Sequence, residues 1–259
     1  MKKSMLFGIS LSLLALLVLS ACAGTPAEDE EHASAHWTYT GEDGPSAWGS
    51  LDEAYELCGS GSSQSPINIA DPSRQDLANL DFSYAASAVN ILNNGHAIQV
   101  NIDEGSTMTV DGQSYSLLQL HFHAPSEHAL FGGLFPAEMH LVHANADGDL
   151  AVVGVLFLQG TENSALDPIW EHLPAEEAEA EDVGTEINPL ALLPGERESY
   201  RYSGSLTTPP CSEDVAWYVM ANPIEVSADQ LAAYESIFSG TNRPVQDLNG
   251  RDIILDETP

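Results

Sequence analysis

The stretch Gln119–His143, QLHFHAPSEHALFGGLFPAEMHLVH, constrains this chain more than any other, because it gathers five of the nine histidines in a pattern that suits paired β-strands. Side chains alternate faces along a strand, so His121 and His123 point the same way, two residues' rise apart. The flanking Leu118, Leu120 and Phe122, and later Met139, Leu141 and Val142, favour strands, while Phe131-Gly132-Gly133-Leu134-Phe135-Pro136 carries turn signals between them. A hairpin or near-hairpin follows. On its second strand His140 and His143 fall on opposite faces, so only one of them can join His121 and His123. Three neutral imidazoles from two paired strands, with a fourth position open, are the ligand set of a catalytic zinc site.

The remainder of the chain reads as support for that pair of strands. At 259 residues and 43% apolar, it can build one large core or two modest ones. Short strands and turns fill Leu80–Val110, with Asn94-Gly95 and Asp111-Gly112 as turn dipeptides. Gln64–Ile69 reads as extended from its proline and β-branched residues. The continuous apolar run Leu150–Leu158 predicts a central strand buried on both faces, and Tyr200–Leu206 and Ala216–Met220 predict further strands. Leu51–Leu57 suits a short helix, Leu166–Leu173 one of about two turns, and Glu176–Asp182 a solvated acidic loop. Strands dominate, so the class is mainly β (α+β). No composition break divides residues 36–259, which we read as one domain.

The N-terminus carries Lys2-Lys3, an apolar run from Leu6 to Leu19, and then Leu19-Ser20-Ala21-Cys22. A charged start, an apolar segment too short to span a bilayer comfortably, and small residues before a cut describe a secretory signal over residues 1–21. Its last four residues resemble the bacterial lipoprotein processing box. That implies cleavage before Cys22, lipid on its sulfur, and a protein anchored to a bacterial membrane, facing the periplasm or cell exterior. Residues 22–35 are small, acidic and aperiodic, which suits a flexible tether in which His32 is a bystander. With Cys22 lipidated, Cys58 and Cys211 remain as a pair in an oxidising compartment, where a disulfide persists.

Charge excludes some partners. The two lysines leave with the signal, so the balance of −32 becomes −34, carried by 39 acids against arginine alone. Such a chain does not bind nucleic acid, and it meets an anionic membrane only through its lipid. Self-repulsion of this size is relieved when salt screens it, which points to a saline or alkaline surrounding and a halophile's surface.

Spacing alone leaves more than one metal site open. His121-x-His123-x₃-Glu127 also fits the first metal motif of cupin barrels, in which the glutamate is a ligand. The continuation breaks that match, since the glycine and asparagine expected around the second cupin histidine are absent near His140.

The same stretch closely resembles the α-class carbonic anhydrases, and the resemblance extends over about Trp37–Arg251. Gln64–Ile69, Asn93–Ala97, Ser126–His128, Ala137–His143, Gly204–Cys211 and Asn242–Gln246 match family segments in order. The resemblance implies a central, mostly antiparallel twisted sheet with few short peripheral helices. It implies one Zn²⁺ per chain on His121, His123 and His140, and reversible hydration of carbon dioxide to bicarbonate and a proton by zinc-bound hydroxide. Gln119 and Glu138 lie two residues before His121 and His140, each on the ligand's own face and placed to accept its second N–H. Thr207 corresponds to the residue that accepts from the hydroxide while donating to Glu127, which moves Glu127 from ligand to relay.

Further roles follow from the family. Val142, Val152, Leu206 and Trp217 correspond to the apolar wall for carbon dioxide, and Thr208 to the rim that handles bicarbonate. His96 corresponds to the proton shuttle, with Tyr39, Asn94 and Gln99 along the water path; glutamine is a departure there. Ala124 and Ala144 stand where animal members commonly place tryptophan. His128 and His143 are read as structural. The partners implied are carbon dioxide and bicarbonate alone, with the oligomeric state left open, a dimer included.

Overall fold

The computed structural model describes residues 35–257. The signal, Cys22, nearly all of the tether and His32 lie outside the described residues. Among those described, no helix is long and apolar enough to cross a membrane.

Nine strands frame the site: β1 (Ser87–Asn93), β2 (Ile98–Asn101), β3 (Gln113–His123), β4 (Ala137–Ala144), β5 (Leu150–Gln159), β6 (Ala178–Ile187), β7 (Ser199–Ser205), β8 (Glu213–Met220) and β9 (Ile254–Asp256). They lie in the order β6-β1-β2-β3-β4-β5-β8-β7-β9 within a sheet that has 13 strands among the described residues. Pairing along this path is antiparallel except between β5 and β8, which run parallel. The few helices are short, as expected. Asn94-Gly95 turns β1 into β2, with Gly95 at φ +84°, a conformation that costs glycine little.

The apolar run predicted to be central is β5, flanked by β4 and β8. Its side chains divide between two cores. Ala151, Val153, Val155 and Phe157 pack with Leu120, Phe122, Met139 and Leu141 on one face; Val152 and Leu156 pack with Trp217, Tyr202 and Ile67 on the other. Period-2 alternation thus gives β3, β4 and β5 a fully apolar face and a face carrying chemistry. Cys58 and Cys211 are joined in a disulfide that closes a separation of 153 residues. That bridge sits in a third cluster with Trp37, Trp48 and Tyr55. In the chain-entropy picture so long a loop stabilises by up to about 5 kcal/mol.

Three segments differ from expectation. The acidic stretch Glu176–Asp182 is not a loop but the entry to β6, an edge strand paired antiparallel with β1. Its partner lies far away in sequence, and its charges suit an exposed edge, where they discourage pairing with another chain. Leu51–Leu57 is not one helix but falls among the short turns Trp48–Leu51, Glu53–Tyr55 and Leu57–Ser60. Asp52 breaks them by taking an extended backbone and capping Ala54 N–H at 3.0 Å. The helix predicted for Leu166–Leu173 shortens to Asp167–Trp170, because Leu173 precedes Pro174 and is pushed out of helical geometry. The longer helix is Ala228–Glu235, held by a capping box in which Ser227 and Gln230 exchange hydrogen bonds. Leu231 and Tyr234 pack it against the apolar face.

Candidate active site

His121 and His140 face each other in the β3–β4 ladder, as Glu138 faces His123. The three imidazoles of His121, His123 and His140 therefore converge, with ring centroids 4.7–5.2 Å apart. One nitrogen of each lies within 4.8 Å of the others'. The other nitrogen of each is committed. His121 Nδ1 donates to Gln119 Oε1 at 2.8 Å, His123 Nδ1 to the Thr241 carbonyl at 2.6 Å, and His140 Nε2 to Glu138 Oε1 at 3.0 Å. His123 Nε2 is buried with no hydrogen-bond partner, and Glu127 Oε2 lies 3.6 Å away. Burial lowers the pKa of all three, that of His123 to about 4, so the rings are neutral and their free nitrogens are bases. An orphaned buried acceptor among neutral donors of this kind fits a zinc ion. His143 is elsewhere: a bulge after Val142 separates it from His140, and it meets Tyr84 OH at 2.6 Å.

Glu138 does more than orient His140. Its Oε2 accepts from the Glu127 and His128 amides at 2.9 and 2.8 Å, and its Oε1 accepts from His128 Nδ1 at 2.7 Å. Burial alone pushes its carboxyl up, but His128 and His140 outweigh that and hold it well below the usual carboxylate range. His128 continues to Tyr202 OH at 2.7 Å, and that hydroxyl to Ser65 Oγ at 2.8 Å. Opposite His140 in the β4–β5 ladder stands Gly154, where a Cβ would come within 2.9 Å of Glu138 Oε1. An isolated glycine inside the apolar run Leu150–Leu158 was the sequence signal for this close approach.

Glu127 is buried, and Oε1 accepts from the Arg243 amide at 2.8 Å. Burial pushes its carboxyl up to about 7, opposed by His140, the Arg243 amide and the Thr207 hydroxyl. Its Oε2 lies 3.6 Å from His123 Nε2 and 3.9 Å from His140 Nδ1, beside the three histidines whose nitrogens converge closely enough to share one ion. Thr241 and Arg243, which sequence reasoning left without roles, act here through backbone atoms, and no side-chain signal announces those.

The apolar residues gather beside this centre. Val142 pairs with Val152 across β4–β5, Val152 pairs with Trp217 across β5–β8, and Leu206 packs on the same cluster. The Trp217 ring lies 4.9 Å from that of His140. A cleft of about 140 Å³ opens from His121 and His123 past Gln119, Thr208, Gln99, Tyr39 and Asn94 to His96. The His96 imidazole lies flat on Trp37, with centroids 3.6 Å apart and planes within 9°. Sequence reasoning missed that platform.

The family described as Eukaryotic-type carbonic anhydrase matches residues 43–257. The chain belongs to the α-class carbonic anhydrases. Carbonic anhydrases of Pectobacterium atrosepticum and Klebsiella pneumoniae are similar, at 44% identity over 92% of this chain and 96% of theirs, and 43% over 95% and 98%. The α-carbonic anhydrase of Thermovibrio ammonificans, solved with the inhibitor sulfanilamide, is 43% identical and superposes with a TM-score of 0.83, covering 86% of this chain and all of that one. Membership makes this carbonic anhydrase an enzyme of carbon dioxide hydration, on the mostly antiparallel sheet of its class.

Proposed function

We propose that this carbonic anhydrase works through one zinc ion held by His121, His123 and His140, with His96 carrying away the proton of each hydration. One observation carries the reading: each imidazole commits one nitrogen to a fixed acceptor and turns the other to a shared space, where His123 Nε2 makes no hydrogen bond. Zinc on three uncharged ligands keeps its double charge and brings the pKa of a water to about 7, a value established on carbonic anhydrases themselves.

The chain's own groups do the rest. Thr207 lies beside Glu127 and helps hold its carboxyl down; with its proton given to that carboxylate, its oxygen accepts from the nucleophile and turns a lone pair toward the substrate. Val142, Val152, Leu206 and Trp217 give carbon dioxide an uncharged wall and exclude water from it. Thr208 offers a hydroxyl to departing bicarbonate at the rim. His96 takes the proton at an imidazole nitrogen, and Tyr39, Asn94 and Gln99 supply polar groups along the way.

The same reading places the enzyme outside the cytoplasm. The Cys58–Cys211 bridge supports export, and the processing box supports lipid at Cys22 and a domain at residues 36–259 beyond a short tether. Stopped-flow hydration of carbon dioxide, with metal content measured on the same sample, tests the zinc assignment. The wild type should contain one zinc and hydrate above buffer, and His121→Ala should lose both. Hydration that survives complete metal removal overturns the proposal.

A further inference from the structure

The acidic edge strand β6 brings a carboxylate to the His96 turn. Ala178 pairs with Asn93 in the β6–β1 ladder, and Asn93 Nδ2 donates to the Pro174 carbonyl at 3.1 Å, so the chain on both sides of Glu177 is tied to the last residue of β1. The turn itself is pinned. Gly95 N–H donates to Asn93 Oδ1 at 3.0 Å, while His96 and Ala97 donate to Asn94 Oδ1 at 3.0 and 2.8 Å. Glu177 lies against it: a Cβ on Gly95 would sit 3.3 Å from Glu177 Oε2. Asn94 lines two spaces, the inner cleft that holds the three histidines and an outer one of about 600 Å³ shared with Glu177 and Glu179. Asn94 therefore stands between the two spaces, and His96, two residues on, lines the inner one with its ring held flat on Trp37.

Two neighbouring groups act on His96 besides its own half-burial. Burial lowers its pKa, His36 lowers it further, and Glu177 raises it. The imidazole thus sits between His36 and the Glu177 carboxylate.

We propose that Glu177 is a positioning residue for proton release, whose carboxylate beside the His96 turn stabilises the imidazolium and makes proton exit discriminate among buffers by charge. A buffer that accepts the proton in an uncharged form, such as imidazole, approaches a negative edge freely. One that accepts it as a dianion, such as hydrogen phosphate, is repelled. The step is a proton transfer from imidazolium to buffer base, with no electron transferred. It rests on the reading of His96 as the proton carrier and deepens it.

The test is turnover at saturating carbon dioxide against the concentration of imidazole or phosphate, at low and high salt, in wild type, Glu177→Gln, Glu177→Lys and His96→Ala. Wild type should turn over faster with imidazole than with phosphate at low salt, and the ratio should fall as salt rises. Glu177→Gln should narrow the ratio by about 1.5- to 5-fold, the range that one exposed charge pair supports, with kcat/KM unchanged. Glu177→Lys should narrow or reverse it. In ring-proton NMR titrations the pKa of His96 should fall in Glu177→Gln. Glu177 is exposed, and equal unfolding midpoints among the variants establish that the fold is intact. An unchanged buffer ratio in both Glu177 variants overturns this inference while leaving the shuttle standing. A His96→Ala enzyme that is no slower at low buffer concentration overturns the shuttle, and this inference with it.

Discussion

His123 Nδ1 donates to the carbonyl of Thr241 at 2.6 Å, across 118 residues of sequence. Two residues further on, the Arg243 amide holds Glu127. One short segment thus fixes both an imidazole of the histidine triad and the buried Glu127 carboxylate. That segment is anchored by the buried Arg243 side chain, which donates to Gln64 Oε1 and the Ser65 carbonyl at 2.8 Å and to the Cys58 carbonyl at 2.9 Å. Arg243→Ala leaves these buried acceptors unpaired and should destabilise the fold by roughly 3–5 kcal/mol. Urea unfolding measures that loss. Chelator competition should show weaker zinc binding in the same variant, because the loop that orients His123 has lost its anchor.

Glu138 accepts four hydrogen bonds, and Gly154 leaves the room for it. Glu138→Ala frees His140 and His128 together, and its zinc affinity should fall by about 10- to 100-fold, the range for partners that orient metal ligands. Gly154→Ala should weaken zinc in the same direction without touching any ligand, since the added methyl must displace a carboxylate that is pinned on both oxygens. Competition with a chromophoric chelator reads both. Wild-type affinity in Gly154→Ala would show that the close approach is not needed.

How much of this was legible depends on whether the signal sat in a side chain or in a pairing. His121, His123 and His140 could be read because period-2 alternation is local, and β5 because eight apolar residues around a single glycine, rich in β-branched valine, suit a strand covered on both faces. The helix Ala228–Glu235 carried its own marker in the Ser227–Gln230 box and was legible in principle. Thr241 was not, because its contribution is a carbonyl that any residue possesses. Glu177 was not either: its stretch looks like solvated charge until β1 is known to lie beside it. The thirteen strands and their order follow from pairings between distant segments, which composition does not encode.

His143 gives the fold an acid limit. Its ring is buried, receives the Tyr84 hydroxyl at Nε2 and donates from Nδ1 to the Ala151 carbonyl at 3.3 Å, so the neutral form satisfies both nitrogens. Burial lowers its pKa to about 4, below the ordinary value of 6.5. Below pH 6.5 the unfolded chain takes up a proton that the folded chain refuses, so stability falls as pH drops from about 6.5 to about 4 and levels off below. The shift corresponds to roughly 3 kcal/mol over that window. Urea unfolding of wild type and His143→Gln at intervals from pH 7 to pH 4 checks this. The wild type should lose about that much more stability than the variant across the window, and parallel curves would remove His143 from the account.

Salt should stabilise this protein. The chain carries −32, and among the described residues the acids matched by arginine in direct ion pairs are Glu257 with Arg74 and Asp256 with Arg201. Arg243 and Arg251 spend most of their donors on backbone carbonyls instead. Most carboxylates therefore face one another across solvent, and β6 concentrates Glu179, Glu181, Asp182 and Glu186 on a single exposed strand. The screening length falls from about 10 Å at 0.1 M salt to about 3 Å at 1 M, so repulsion between neighbouring acids fades over that range while close ion pairs persist. The unfolding temperature should rise by several degrees between 0.05 and 1 M sodium chloride, a salt chosen because sulfate would strengthen apolar burial by itself. The rise should be smaller in a variant with the four β6 acids changed to their amides. A midpoint that is flat or falling up to 1 M would mean that the acids are already accommodated by the fold, and would remove the case for a saline habitat.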